Sequence, residues 1–393
     1  MPKDQQKKQL SDEDLLNTIG PDADAPDDPP KKKRAPLKKL KKWFHDLSKK
    51  QKITYITITL LILIGIAIGV FLQLRGGNKP ITLPIIKKTE PKKTPKPTTE
   101  ASRLTGVTIS PELNQRGVVG IMIENSPDAR PQSGLKDAGV VFEAIAEGGI
   151  TRFLTLFQEA QPDYIGPVRS VRPYYLDWLQ GFDAPIAHAG GSADGLAKIR
   201  NENIPDLDQF TNGAYYMRVN SRYAPHNLYT SMAKLDALRA AKGFTSSNFT
   251  GFARKNEAPV NTPTARSIDF KISSFLYSPH YDYDPATNSY KRSQGGKPHT
   301  DERSGVQIAP KVIIANVMSY GIASNGVNSN YNSIGSGKSY IFQDGTVTIG
   351  TWEKTGPKSQ MVFKDTNGNV IKLNPGQTWI SAVGSSSGVS YQP

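Results

Sequence analysis

The chain has 393 residues, no cysteine and a formal net charge of +14. Without cysteine there are no disulfides, no thiolate metal sites, no cysteine nucleophile and no lipidated cysteine. The charge does not indicate nucleic acid, because it is segregated. Residues 1–52 carry 14 basic and 9 acidic side chains and residues 75–103 carry 8 and 2, whereas residues 104–393 carry 27 and 24 and are nearly balanced.

Residues 1–52 form a polar tail with an acidic, proline-rich run at Pro21–Pro30. Such a segment buries too little apolar surface to offset the entropy of ordering it, so a disordered tail is predicted. Residues Ile53–Leu74 are 22 residues without a charge. About 20 apolar residues in a helix cross the hydrocarbon core of a bilayer. A transmembrane helix is therefore predicted, with membrane lipid as its partner. Eleven Lys or Arg lie between Lys31 and Lys52, against four (Arg75, Lys79, Lys87, Lys88) in the sixteen residues after the span. The positive-inside rule then puts the N-terminus in the cytoplasm and the remainder outside. Residues 75–112, rich in Pro, Lys and Thr at their start, read as an extended stalk.

Beyond the stalk the pattern is that of an α+β protein: a mixed α/β unit over 113–246, a linker over 247–263 and a mostly antiparallel β unit over 264–385. Residues 117–123 form an apolar run of the kind buried on both faces of a sheet. Residues 139–146 and 151–158 read as a hairpin about Glu147-Gly148-Gly149. Residues 172–182 read as a helix opened by Pro173, and 184–191 as a strand. Ser192 caps the helix that follows, and residues 231–242 form a further helix stopped by Gly243. In the second unit, Asp344-Gly345 and Asn367-Gly368 mark tight hairpins.

Several long strings carry a resemblance to a known family. RPQSGLKDAGVVFEAIAEGGITRFLTLFQ (130–158), IGPVRSVRPYYLDW (165–178), RYAPHNLYTS (222–231), YDYDPATNSYKRSQGGKPHTD (281–301), GSGKSYIFQDG (335–345) and IKLNPGQTWI (371–380) resemble, in order, the YerB lipoprotein family. The resemblance covers roughly 113–385. It implies an N-terminal and a C-terminal domain of unknown function and a bacterial envelope location, and it supplies no activity. The chain departs from a lipoprotein in having no cysteine to lipidate; the spanning helix takes over that role.

The densest polar constellation lies in 124–226. Glu143 and Glu147 bracket a strand end, Arg152, Arg169 and Arg172 follow, and His188, Ser192, His226 and Asn227 sit near a strand terminus, a helix start and a turn. Arginine grips carboxylate or phosphate with two parallel bonds, and a helix start binds anions. These nine residues are the ligand-binding candidates. Two readings stand: a pocket for an anionic envelope molecule, with His188 as a base oriented by Glu143 or Glu147, or a set of ion pairs and turns that fix the fold. His226 beside Arg222 is the better ligand contact of the two histidines.

Ser231-Met-Ala-Lys234, Ser246-Ser-Asn248 and Lys354-Thr-Gly356 mimic the motif order of penicillin-binding enzymes. Their spacing leaves no room for the helical subdomain between the first two. The alternating His280, Asp282 and Asp284 lack the continuation of a calcium loop. No metal, cofactor or nucleic acid is expected. The function expected is a binding or scaffolding module for peptidoglycan or membrane-bound wall-synthesis proteins, the alternative being an enzyme on an anionic or glycan envelope substrate.

Overall fold

A computed structural model describes residues 44–75 and 98–393. The expected tail up to residue 43 and the stalk residues 76–97 lie outside the described residues. The chain separates into two units, Met1–Lys93 and Thr94–Pro393.

In the first unit Lys49–Arg75 is one continuous helix, α1. Apolar side chains from Ile53 to Leu72 stand exposed along all its faces. The polar exceptions are satisfied within the helix: Thr54, Thr57 and Thr59 donate to the carbonyls of Lys50, Ile53 and Tyr55, at 3.0, 2.9 and 2.8 Å. A hydroxyl that bonds back by one turn needs no water. Among the described residues α1 is the one helix long and apolar enough to cross a membrane.

The second unit is built on a nine-stranded mixed sheet. Its strands are β1 (Val119–Glu124), β2 (Val140–Glu147), β3 (Ile150–Phe157), β4 (Ile186–Ala187), β9 (Val312–Val317), β10 (Gly335–Gln343), β11 (Thr346–Lys354), β12 (Val362–Lys364) and β13 (Thr378–Val383). Their order is β12-β11-β10-β9-β13-β2-β3-β1-β4. A second sheet, wholly antiparallel, orders β8 (Lys297–Pro298), β7 (Ser289–Gln294), β6 (Pro279–Asp284), β5 (Ser267–Phe270) and β14 (Val389–Gln392). Its three longer helices are α2 (Pro173–Gln180), α3 (Ala193–Asn201) and α4 (Met232–Lys242).

Most strand and cap expectations appear in place. Every residue of β1 is buried, as its unbroken apolar run requires. Ser192 accepts from the Gly195 amide and Ser231 from the Lys234 amide, and Gly243 ends α4 in a left-handed conformation. Ser231 is thus a helix cap, in line with discarding the enzyme motif. The expected strand over 184–191 shrinks to the two residues of β4, because Gly190 turns the chain at a positive φ.

The two halves of the fold meet in one sheet. β13, from the end of the chain, lies parallel between β9 and β2, with Ser381 opposite Glu143. The second half is mostly antiparallel, as expected, with β13 pairing parallel at its centre. The expected boundaries shift for a related reason. Leu104 is wholly buried, so the stalk ends before it. Phe249 and Phe252, in the expected linker, pack on Phe182. β14 continues past residue 385 to close the second sheet. Lone apolar residues in polar, aperiodic segments carry no sequence pattern, yet each buries enough area to pin the chain.

The sheets pack face to face through Phe270 on Phe342, at 5.8 Å, and Arg292 over Trp379, at 4.5 Å. The opposite face of the large sheet carries α2, where Trp178 stacks on Phe142 at 5.3 Å. The hydroxyls of Tyr174 and Tyr175 on α2 reach the carbonyls of Ile145 and Ala144 at 2.6 and 2.9 Å, tying the helix to β2.

Candidate functional site

Alternation along a strand puts residues two apart on one face, so Glu143 and Glu147 would point together. A β-bulge between Ile145 and Glu147 breaks that parity. Glu143 pairs with Phe153 across β3 and faces the second sheet, whereas Glu147 turns to the face of Arg152 and α2. This corrects the expectation that the two glutamates share a site.

Glu143 is wholly buried. The Arg292 guanidinium donates to both its oxygens, at 3.0 and 2.9 Å, and the Trp379 indole donates at 3.0 Å. Glu147 receives Arg152 at 2.6 Å and also pairs with Arg172. Burial raises its proton affinity, but the two arginines outweigh that and hold its carboxyl below the usual range. Arg169 does not join this pair; it lies 3.2 Å from Glu124. His226 shares that carboxylate, with Nδ1 at 3.0 Å, and Ser126 lies 3.3 Å from the same nitrogen. The expected neighbour of His226, Arg222, instead reaches across to Glu302 at 3.2 Å.

His188 is wholly buried, and neither Glu143 nor Glu147 orients it. Nδ1 meets the Gly190 carbonyl at 2.8 Å and Nε2 meets Asp206 at 3.0 Å. Nδ1 is held by the Gly190 carbonyl and Nε2 by the 206–209 loop, so of the two readings of His188 the geometry fits the hydrogen-bonded, structural one rather than the base. Ser192 spends its oxygen on the cap of α3. Asn227 donates to the Val219 carbonyl and accepts from Arg218, at 3.1 and 2.8 Å, closing a turn. The nine sequence candidates therefore resolve into separate ion pairs, one helix cap and one turn, and no single pocket gathers them.

One of the clefts among the described residues lies elsewhere. It holds about 410 Å³ between Pro127, Arg130 and Pro131 on one side and Leu276, Gln294, Gly295 and Lys297–Thr300 on the other. Arg130 spends Nε on the Asn125 side chain at 3.1 Å and Nη2 on the carbonyls of Asn125 and Leu276, at 2.9 and 2.8 Å. Its Nη1 has no partner among the described residues. It lies 3.7 Å from where a Cβ on Gly295 would sit, at the cleft wall. Burial and the nearby Arg292 lower the proton affinity of Arg130, and among the described residues no carboxylate lies within 4 Å of it. Lys297, exposed on the rim, is likewise without a carboxylate partner among the described residues.

Two side chains of the cleft wall are buried, and each keeps one polar atom that has neither a partner nor accessible surface. Gln294, 6% exposed, gives its carbonyl oxygen to Arg292 and leaves Nε2 unpartnered. His299, 4% exposed, lies with Nε2 2.8 Å from the Gln132 carbonyl oxygen, while Nδ1 has no partner. The Gln132 amide nitrogen is committed to Glu124 O and Asn125 Oδ1, at 2.9 and 3.0 Å, so its oxygen is the acceptor and His299 Nε2 the donor. Burial pushes the His299 pKa well below the ordinary range, with Arg292 and Arg130 acting in the same direction. The ring is neutral, with its bare lone pair on Nδ1.

The sequence reading missed this site because its residues lie roughly 165 positions apart and belong to no local motif. One signal was present: Arg130-Pro131 and Gln294–Thr300 fall inside two of the strings that carry the family resemblance.

Profile comparison matches residues 104–245 to "Protein of unknown function (DUF3048) N-terminal domain" and residues 268–380 to the corresponding C-terminal domain. The chain belongs to the DUF3048 family. Among curated proteins of this family, it is 31% identical over 284 residues to the "Putative lipoprotein YerB" of Bacillus subtilis (strain 168), a match spanning 71% of this chain and 85% of that protein. The crystal structure of YerB from Bacillus subtilis superposes with a TM-score of 0.67 at 29% identity, covering 74% of this chain and 99% of that one. The DUF3048 N- and C-terminal domains correspond to the two halves that share the nine-stranded sheet.

Proposed function

We propose that this DUF3048 protein is a single-pass, membrane-anchored binding module. Its N-terminus is cytoplasmic, its globular unit is extracytoplasmic, and its partner is the cell wall or the membrane-bound machinery that builds it. Three observations support the anchor. The α1 stretch from Ile53 to Leu74 carries no charge. Its threonine hydroxyls are satisfied within the helix. A relative bears a lipoprotein description, whereas this chain has no cysteine for a lipid, so the helix supplies the attachment. The excess of lysine before the span sets the orientation.

The single observation that favours binding over catalysis is the state of the polar residues. The Glu147 carboxylate is spent on Arg152 and Arg172 and both His188 nitrogens are engaged, while the seam cleft holds cations with no carboxylate among the described residues. A cleft with uncompensated positive charge is ready for an anionic ligand.

The test is topological first. Protease added to intact cells should remove the globular unit, and carbonate-washed membranes should retain the full chain. Protection of the globular unit, or recovery of the chain in the supernatant, would overturn the anchor. Full-length protein in detergent should then co-sediment with purified wall sacculi or crosslink in cells to a wall-synthesis protein; recovery of neither would overturn the binding role.

A further inference from the structure

Away from the polar clusters, the globular unit carries an apolar projection. Residues 312–337 contain no charged side chain. Among them, between β9 and β10, Tyr320–Ile322 and Ser329–Tyr331 pair as an antiparallel hairpin. Its base is fixed: Tyr331 is buried against Tyr174 of α2, and Asn328 pairs with Glu147 at the end of β2. Its tip stands in solvent. Ile322 is 71% exposed, Val327 60%, and Tyr320, two residues back, 46%.

Single apolar side chains on a surface are ordinary. This tip differs in spending its backbone donors on itself. The Ala323 amide donates to the Asn328 carbonyl at 2.7 Å, and the Gly326 amide to the Ala323 carbonyl at 2.9 Å. Asn325 Oδ1 accepts from the amides of Val327 and Asn328, both at 3.0 Å. Backbone groups with their own partners can leave water at small cost. The same device satisfies the threonine hydroxyls of α1.

A second copy suits the tip poorly. Three partly covered side chains expose well under the about 800 Å² per partner that a standard interface buries. Strands of three residues also make a short edge for strand addition. A lipid surface needs neither a large area nor a long edge. Tyrosine settles at the headgroup level with apolar side chains beneath it, and no charge has to be desolvated. Residues 76–97 separate α1 from the globular unit, at most about 75 Å of extended chain. With α1 in a bilayer, that surface stays within reach, and a weak contact becomes an intramolecular one.

We propose that the hairpin tip docks on the bilayer that holds α1, with Ile322 and Val327 entering the headgroup boundary and Tyr320 at its outer edge. This rests on the anchored reading and adds to it a second, reversible membrane contact.

The absence of cysteine allows labelling at one chosen position. Full-length protein carrying an environment-sensitive fluorophore on Ser324→Cys, Leu72→Cys or Asp194→Cys is reconstituted into phosphatidylcholine vesicles. These positions lie in the exposed hairpin turn, in α1 and in the first turn of α3. Nitroxide on the lipid acyl chains is the quencher. The Ser324→Cys label should be blue-shifted and quenched severalfold more than the Asp194→Cys label. Adding Ile322→Asp and Val327→Asp should bring its quenching down to the Asp194→Cys level. Ile322→Asp alone should lower it severalfold, and serves if the pair does not melt like the parent.

Equal quenching at Ser324→Cys and Asp194→Cys, or unchanged quenching in a folded aspartate variant, would overturn the docking. So would a blue shift without lipid quenching that fades as protein is diluted into more lipid, which would report contact between copies. The Leu72→Cys label separates the two readings. Quenching there without quenching at Ser324→Cys overturns the docking alone; no quenching at Leu72→Cys overturns the anchor, and the docking with it.

Discussion

Glu143 and Glu147 stand four residues apart on β2, and their surroundings differ. Glu143 faces the second sheet, with no exposure, and among the described residues its one ion-pair partner is Arg292 from the other half of the fold. Glu147 faces α2 at the strand end, with 29% of its side chain exposed, and shares two arginines from its own half. The first welds the two halves across a dry interface; the second orders the edge of one half beside water. A bulge of one residue separates these roles, which shows how little of a charged residue's role follows from its spacing.

Removing one partner of a dry pair leaves an uncompensated buried charge. Glu143→Gln should therefore cost about 3–5 kcal/mol of unfolding free energy, read as a lower denaturant midpoint for the full-length protein in micelles. A loss below about 1 kcal/mol would mean that water reaches Arg292 and that the interface is not dry.

Lys354 sharpens the comparison as a buried cation without a carboxylate. It donates to the carbonyls of Pro357 and Ser359 at 2.8 and 2.6 Å. Burial brings its pKa down to about 8. Between that value and the unfolded value near 10.4, the unfolded chain holds the proton and the folded one does not, so stability rises with pH. The gain should reach at most about 3 kcal/mol at 1.36 kcal/mol per unit. It should be absent in Lys354→Met, as denaturation midpoints compared at pH 7.5 and pH 10 would show; equal slopes in the two proteins would refute it.

Glu147→Gln should cost less than the Glu143 substitution, about 1–2 kcal/mol, since water can replace part of what the arginines lose. The folded pKa of Glu147 is depressed, so its contribution is present above the unfolded value near 4.3 and lost as pH falls through the lower folded value. Acid titration of stability should accordingly be shallower in the variant than in the parent.

The smallest effect belongs to His280 on β6, a half-exposed ring between Asp269 and Asp282 at 2.8 and 3.1 Å. Burial lowers its proton affinity, yet the two carboxylates outweigh this and raise the pKa. Its contribution is complete below the unfolded value and lost as pH rises through the folded one. His280→Gln should remove only a few tenths of a kcal/mol, visible as a flatter stability profile as pH rises above the unfolded value near 6.5.

Much of the architecture was readable because it rests on local rules. Alternation and apolar runs marked β1, β2 and β3, and caps at Ser192, Ser231 and Gly243 marked helix ends. Asp344 and Gly345, at φ values of 58° and 77°, form the tight turn their identities announce. The site was less legible. His188, Ser192 and Asn227 were singled out by type and position, and each turned out to spend its polar atoms on the backbone or on a neighbouring loop. Arg130, Gln294 and His299 were passed over because nothing nearby in sequence marks them.

The sequence by itself determined the apolar span, the tight turns and the strands whose periodicity records which face meets water, since these depend on neighbours within a few residues. Only the tertiary structure decided that β13 returns to lie beside β2, that a bulge parts Glu143 from Glu147, and that Arg130 meets His299 across a cleft. Those outcomes depend on which distant surfaces exclude water together, and contacts between residues far apart in the chain leave no local periodicity to read.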